Sequence, residues 1–159
     1  GHRMSSTLID RTVLSEYRSL LNRTLSWATL VLFLGACGGE LRQNNFDSTQ
    51  ELRQSDLIDK GWVPEDLPDD LTDIYEAHDL DTNDTWIRSN TSGSSGFRDY
   101  LARWTKISKN EISRVRPPRN VHWWLDDADQ IVTLHARTIR ERQCFLALDE
   151  NMLGYFYCD

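Results

Sequence analysis

The sequence predicts an α+β domain over residues 58–159, with a small antiparallel sheet built from two hairpins and one or two short helices. Apolar and aromatic residues flank a polar turn at residues 81–84 and again at residues 149–152, and each arrangement is typical of a hairpin. A run with helical spacing lies between the two hairpins. A chain of 159 residues is long enough for one such domain and an N-terminal extension.

Residues 25–37, with the sequence LSWATLVLFLGAC, form the most apolar stretch of the chain. A helix that crosses a membrane needs about 20 consecutive apolar residues, and this run is shorter. Its length is typical of the hydrophobic region of a secretory signal peptide, and Arg18 and Arg23 lie upstream, where such signals carry positive charge. The alternative is a buried amphipathic helix with an ordinary core cysteine, because Leu14, Tyr17 and Leu21 follow helical spacing.

The sequence LGAC at positions 34–37 resembles the lipobox of bacterial lipoproteins, in which a large apolar residue and two small residues precede a cysteine. The resemblance implies that residues 1–36 are a signal peptide, with the three residues before Met4 included, and that Cys37 carries a diacylglyceryl group. Two acyl chains give stable anchoring, so the expected location is the bacterial cell envelope. By resemblance to lipoprotein sorting, Gly38 favours the outer membrane, facing the periplasm.

Residues 37–57 are polar and are predicted to form a flexible tether between the lipid and the domain. They contain few large apolar residues that could anchor them to a core. The alternative is a short helix over residues 48–58, with Leu52 and Leu57 as its anchors.

If Cys37 carries lipid, Cys144 and Cys158 remain as a pair in an oxidising compartment. The sequence CFLALDENMLGYFYCD predicts two strands joined by a turn at DENM. With Leu148 opposite Gly154, a regular hairpin places Cys144 opposite Cys158, where the Cβ atoms approach disulfide range. A disulfide is therefore predicted, and two free core cysteines are the alternative. No CxxC or Cys/His spacing indicates a zinc or redox site.

The earlier hairpin is predicted from Thr72 onward, with a turn at DTND and a returning strand through Trp86. The sequences GW-P--LP, from Gly61, and TDIYEAHDLDTNDTW, from Thr72, resemble small uncharacterised bacterial domains grouped as YbbD-head-like. A weaker likeness extends to the stretch CFLALDENMLGYFY near the C-terminus. The resemblance implies a small exported or membrane-associated α+β domain, and it brings no activity and no catalytic residues.

The region between the hairpins predicts two short helices. Ser108 and Glu111 form a capping box for the second helix, which ends before Pro117. The outer faces of both helices are basic, whereas residues 56–84 hold eleven acids and one lysine. Partial neutralisation of those acids is preferred over a basic surface for anionic lipid. The first helix is indicated by an apolar face at i, i+3, i+4 and i+7: Phe97, Tyr100, Leu101 and Trp104.

Two adjacent tryptophans, Trp123 and Trp124, are expected to point in different directions, one into the core and the other to a groove or a membrane-side surface. A tryptophan stack for sugar is the weaker interpretation. The loop TSGSSG over residues 91–96 is predicted to be flexible, and it lacks the G-x-S-x-G pattern of a nucleophile elbow.

No catalytic, cofactor-binding or metal-ligating residue is predicted, and no cofactor. The run Asp79-x-Asp81-x-Asn83 resembles the start of a calcium loop but lacks the later glycine and glutamate, so a turn is favoured over a weak calcium site. Adjacent acids could imitate a hydrolase dyad, but the sequence shows no cleft for them. The histidines of the domain follow no metal-binding spacing and are expected in strands or loops: His78, His122 and His135.

The chain carries 18 basic and 25 acidic residues, and this acidic surface makes nucleic acid an unfavourable partner. The favoured function is a non-catalytic binding or accessory lipoprotein, with the membrane bound through Cys37 and an envelope protein as partner. The alternatives are an acidic inhibitor or immunity-type protein against a basic toxin, and an envelope hydrolase.

Overall fold

Strands make up most of the regular structure of residues 40–159, the part of the chain that this computed structural model describes. Two short α-helices, α1 (Thr49–Arg53) and α2 (Phe97–Leu101), and the 3-10 helices Lys109–Arg114 and Ala128–Gln130 lie among the strands of this part. The strands are β1 (Leu41–Ser48), β2 (Thr72–Asp79), β3 (Thr85–Asn90), β4 (Thr105–Ile107), β5 (Ile131–Ile139), β6 (Arg142–Asp149) and β7 (Leu153–Cys158).

All seven strands belong to one antiparallel sheet with the order β1-β2-β3-β7-β6-β5-β4. The predicted α+β class, with an antiparallel sheet and a few short helices, is confirmed. After the β2–β3 hairpin the chain moves to β4 at the far edge and returns through β5, β6 and β7. The two predicted hairpins therefore become neighbours, because β7 pairs with β3.

The register of the β6–β7 hairpin is the one that the sequence predicts. Leu148 lies opposite Gly154, and Leu146 lies opposite Phe156. Cys144 lies opposite Cys158, with their Cα atoms 4.2 Å apart, and the two residues form a disulfide. Both cysteines are buried, so the disulfide joins the central strands inside the core.

The prediction of a flexible tether over residues 37–57 is wrong for residues 41–53, which form β1 and α1. β1 pairs antiparallel with β2 from Leu41 opposite Asp79 to Ser48 opposite Thr72. Ser48 also caps α1, since its side chain accepts a hydrogen bond from the backbone N–H of Glu51. Backbone pairing holds this polar strand in the sheet although few of its side chains are apolar. The alternative prediction, a short helix over residues 48–58, is confirmed over the shorter range Thr49–Arg53.

The β5–β6 hairpin was not among the predicted elements. Its turn is formed by Arg140 and Glu141, which have φ values of 49° and 69°. A turn with two positive φ values normally contains Asn, Asp or Gly, so the sequence carries no turn signal at this place. The two long strands on either side select this turn through their pairing.

The sheet separates two apolar layers. The helix face carries Leu52 of α1, Tyr100 of α2 and, from β6, Cys144 and Leu146. The opposite face, called the loop face here, carries Phe145 and Ala147 of β6. The alternation along β6 follows from the period of a strand, which points successive side chains to opposite faces. Both faces are therefore covered, one by the two α-helices with the irregular segment before β2, and the other mainly by the irregular residues before β5.

The two helix predictions between the hairpins are confirmed in part, because α2 ends at Leu101 and leaves Trp104 outside it, and the Glu111 side chain pairs with Arg114 rather than completing a capping box. α2 contains Phe97 and Tyr100, both buried, and Ser94 accepts a hydrogen bond from the backbone N–H of Phe97 at 3.1 Å. Ser108 precedes a 3-10 helix, and its hydroxyl accepts from the N–H of Asn110. Within residues 40–159, no helix is long and apolar enough to cross a membrane. The predicted signal peptide and Cys37 lie outside the described residues.

Candidate binding site on the loop face

One irregular segment crosses the loop face between the two 3-10 helices, and two hydrogen bonds hold it. Trp86 Nε1 donates to the carbonyl oxygen of Arg116 at 2.6 Å. Further along, Gln43 Nε2 donates to the carbonyl oxygen of Asn120 at 3.5 Å. Pro117 lies between these two points and cannot continue a helix. Residues 115–127, called the crossing segment below, are thereby fixed above the sheet.

A cavity of about 280 Å³ lies between the crossing segment and the sheet. Its floor is formed by Leu134, Phe145, Ala147 and Tyr155, which point to the loop face from three neighbouring strands. Its polar lining residues are Ser113 and Asp126. The walls come from both ends of the crossing segment and from the 3-10 helices before and after it: Ile112, Val115, Pro117, Trp124, Leu125 and Ala128.

A row of aromatic rings leads away from this cavity. Trp124 meets Tyr155 edge to face, with ring centroids 5.6 Å apart, and both residues line the cavity. Trp123 lies 6.0 Å from Trp124, and Tyr75 of β2 lies 5.8 Å from Trp123. Arg88 of β3 ends the row, with its guanidinium carbon 4.3 Å from the Tyr75 ring centroid. These five residues are called the aromatic row below.

The exposure of the two tryptophans agrees with their prediction. Trp124 is buried, and Trp123 is half-buried at the surface of the loop face. Tyr75 and Arg88 are also half-buried. The sequence indicated only the two tryptophans, since the remaining members come from strands far apart in the chain and meet only through the β2–β3–β7 pairing.

The mouth of the cavity is acidic. Asp126 lines it, and Asp127 caps the following 3-10 helix by accepting from the N–H of Asp129 at 2.9 Å. Among residues 40–159, none of these three aspartates lies in a salt bridge. Burial, followed by the charge of Asp149, raises the pKa of Tyr155. Its hydroxyl therefore stays protonated near neutral pH.

A buried pair of polar side chains, Glu76 and His78, lies on the helix face, away from the cavity. Glu76 is fully buried and accepts from Asn44 Nδ2 at 2.8 Å, while its other oxygen lies 2.8 Å from His78 Nδ1. The His78 ring stacks on Trp62 with centroids 4.3 Å apart. Burial raises the pKa of Glu76, and the hydrogen bonds from Asn44 and His78 oppose that shift. The Glu76–His78 pair contacts both β1 and the segment before β2. It therefore helps to pack these two elements against β2.

The other histidines are separated from this pair. His122 is exposed in the crossing segment. His135 is buried in β5, and neither of its ring nitrogens has a hydrogen-bond partner. Burial, with a smaller contribution from the charge of Lys106, lowers the pKa of His135. Within the described part of the chain, no group of three or more His, Cys, Asp or Glu residues is arranged to hold a metal ion.

The calcium-like run forms the β2–β3 turn, as the favoured interpretation predicts. The Asp79 carboxylate accepts from the backbone N–H of Asp81 at 2.8 Å and of Thr82 at 3.2 Å. Asn83 has a φ of 64°, a conformation that asparagine tolerates. Asp84 is buried and accepts from the hydroxyl of Tyr157 at 3.1 Å. These side chains therefore stabilise the turn.

Arginines from several elements contact the acidic region over residues 56–84. Arg103 and Arg137 both pair with Asp66, at 2.9 Å and 2.7 Å. Arg116, on the crossing segment, lies 3.6 Å from Asp84. Arg53 of α1 pairs with a third acid, Asp69, at 2.8 Å. The preferred interpretation, partial neutralisation of the acids, agrees with these contacts.

The loop TSGSSG is held by hydrogen bonds to Asp70, whereas the sequence predicts a flexible loop. Ser94 and Ser95 donate their hydroxyl groups to the Asp70 carboxylate at 2.5 Å and 2.9 Å. The backbone N–H groups of Ser95 and Gly96 donate to the same carboxylate. These hydrogen bonds, led by those from Ser94 and Ser95, lower the pKa of Asp70 to about 2.

We expect Asp70 to stabilise the fold in a pH-dependent way. Its pKa of about 2 in the fold lies below its value of about 3.9 in an unfolded chain. The stabilisation is therefore present above pH of about 4 and is lost as the pH falls towards about 2. Denaturant unfolding of the wild type and Asp70→Asn, measured across this range, should show a difference that shrinks on acidification. Asp81→Asn, at an exposed turn position, is the control. A difference that stays constant with pH would contradict this expectation.

A family model described as the YbbD head domain matches residues 41–90, which contain β1, α1, β2 and β3. The chain therefore contains a YbbD-head-like region. The match supports an accessory, non-catalytic protein of envelope type at most, and it specifies no activity. No curated protein and no solved structure matches the chain. Tyr75 and Arg88 lie inside the matched region, whereas every residue that lines the cavity lies beyond it.

Proposed function

We propose that this protein is a non-catalytic binding protein of the bacterial cell envelope, held at the membrane by a lipid on Cys37. The observation that carries the proposal is the apolar cavity of about 280 Å³ beside the aromatic row. A concave apolar surface with a few polar groups is the usual form of a binding site. Trp, Tyr and Arg, the residue types of the row, are also the types that dominate the binding energy of protein interfaces.

Two features support an exported, anchored protein. A buried disulfide such as Cys144–Cys158 persists in oxidising compartments and is rare in the cytosol. The lipobox-like sequence ends at Cys37, and β1 begins at Leu41. Four peptide units span at most roughly 14 Å. A lipid on Cys37 would therefore keep the domain close to the membrane surface, on the periplasmic side if the outer membrane is its location.

The other two function classes receive less support. The density of acids over residues 56–84 suggested an inhibitor of a basic toxin, yet three of these acids, Asp66, Asp69 and Asp84, already have arginine partners. An envelope hydrolase needs a base beside a substrate cleft. The buried histidine His78 instead stacks on Trp62, and His135 does not line the cavity.

The proposal is tested in cells that express the wild type or Cys37→Ser and are fed radiolabelled palmitate. We expect label in the wild type alone. Treatment of the same cells with an amine-reactive cross-linker should then shift the labelled wild-type protein to a discrete larger product. Equal labelling of the two proteins, or none, would contradict the anchor. A labelled protein that never forms a discrete product would contradict the binding role.

A further inference from the structure

We infer that the cavity on the loop face receives an apolar side chain that stands next to a Lys or Arg in an extended segment of a partner protein. The inference rests on the proposed function and adds the chemistry of the partner. Three observations determine that chemistry: the size of the cavity, the direction of the aromatic row and the charge at the mouth.

The size of the cavity fits a single large side chain. A volume of about 280 Å³ lies below the range of roughly 300–1,000 Å³ that is usual for sites of drug-sized ligands. It exceeds the roughly 150 Å³ of an engineered apolar cavity that binds benzene. Ten of the twelve lining residues carry no polar side-chain group other than the Trp124 indole N–H and the Tyr155 hydroxyl, the exceptions being Ser113 and Asp126. An aromatic or long aliphatic side chain is therefore the favoured occupant.

The aromatic row indicates an extended occupant rather than an isolated small molecule. The row leaves the cavity at Trp124 and continues over Trp123 to Tyr75 and Arg88, with successive ring centroids 5.8–6.0 Å apart. Its last three members are half-buried, so each presents part of its surface to solvent. A peptide whose anchor fills the cavity would place neighbouring residues over these rings.

The charge at the mouth selects a cation. Asp126 is the charged residue among those that line the cavity, and Asp127 and Asp129 follow it. Arg114, whose guanidinium carbon lies 5.1 Å from the ring centroid of the floor residue Phe145, pairs with Glu111 at 2.9 Å. The carboxylate of Asp126 would thus attract a Lys or Arg beside the anchor and repel a Glu or Asp.

The test uses the full-length chain in nanodiscs, with 5-fluorotryptophan in place of tryptophan, and three capped tetrapeptides: Gly-Phe-Lys-Gly, Gly-Phe-Glu-Gly and Gly-Ala-Lys-Gly. Fluorine NMR reports each tryptophan separately. We expect the Phe-Lys peptide to shift the signals of Trp123 and Trp124 and to leave Trp62, on the helix face, unchanged. Its affinity should exceed that of each of the other two by about tenfold at low salt.

Two pairs of variants sharpen the result. Ala128→Phe should block the mouth and remove the shifts, whereas Ala102→Phe, an exposed alanine directly after α2, should leave them intact. Asp126→Asn should retain binding of the Phe-Lys peptide and reduce its advantage over the Phe-Glu peptide to about twofold or less. Asp99→Asn, at an exposed position of α2 on the other layer, is the control for a general charge effect.

Equal affinity of the Phe-Lys and Phe-Glu peptides, or shifts confined to Trp62, would overturn the inference. So would the absence of any shift at millimolar peptide. In the cross-linking experiment on cells, Ala128→Phe should remove the larger product and Ala102→Phe should retain it. A product that survives Ala128→Phe would refute this site while leaving the proposed binding role intact. Absence of any discrete cross-linked product in the wild type would refute the binding role itself.

Discussion

Replacement of Leu52 by alanine should lower the free energy of unfolding by about 2–5 kcal/mol, the usual loss for truncation of a fully buried leucine. Leu52 is completely buried on α1, within the apolar layer of the helix face. Truncation removes its apolar contacts and leaves a cavity that the surroundings fill only in part. Equilibrium unfolding in urea, followed by far-ultraviolet circular dichroism, measures the change.

Leu80→Ala provides the matched control, because Leu80 is 47% exposed in the β2–β3 turn. We expect its effect to stay within about 0.5 kcal/mol, as for other surface substitutions. If residues 41–53 were a tether outside the fold, Leu52→Ala would have an equally small effect. Equal stabilities of the two variants would therefore reject the integration of α1 into the domain.

Removal of the disulfide should have a comparable effect. We expect the double variant Cys144→Ala/Cys158→Ala to lose about 2–5 kcal/mol of unfolding free energy. The link joins residues separated by 14 positions and restricts the unfolded chain. The two sulfur atoms are also buried between the central strands, so their loss removes packing as well.

The measurement compares the wild type with the double variant in urea, with and without a reductant. Reduction should bring the wild type close to the double variant and leave the double variant unchanged. Equal stability of the oxidised wild type and the double variant would show that the link does not stabilise the fold. A response of the double variant to reductant would point to a contribution from Cys37, which both proteins retain.

The candidate site depends on the joining of two parts of the chain. Residues 41–90, which match the YbbD head domain, supply Tyr75 and Arg88, while residues 112–155 line the cavity. β3 and β7 pair from Thr85 opposite Cys158 to Asn90 opposite Leu153. This pairing places Arg88 opposite Tyr155 and so brings the aromatic row to the cavity. The family match alone could not have located this site.

The local features of this protein can be predicted from its amino-acid sequence. The sequence predicts the hairpins β2–β3 and β6–β7 and the register that places Cys144 opposite Cys158. It also predicts the apolar side of α2 that carries Phe97 and Tyr100. Each depends on residues only a few positions apart, whose alternation, spacing and turn chemistry are visible in the chain itself.

The non-local features depend on contacts that form only in the folded chain. β1 has a polar sequence and enters the sheet because β2 supplies partners for its backbone. The Arg140-Glu141 turn lacks the usual turn residues and forms because β5 and β6 pair along their length. The cavity exists because Trp86 and Gln43 hold the crossing segment above strands that come from other parts of the chain. Contacts between distant segments depend on how the whole chain distributes its hydrogen bonds and buried surface, and a local sequence pattern does not record that distribution.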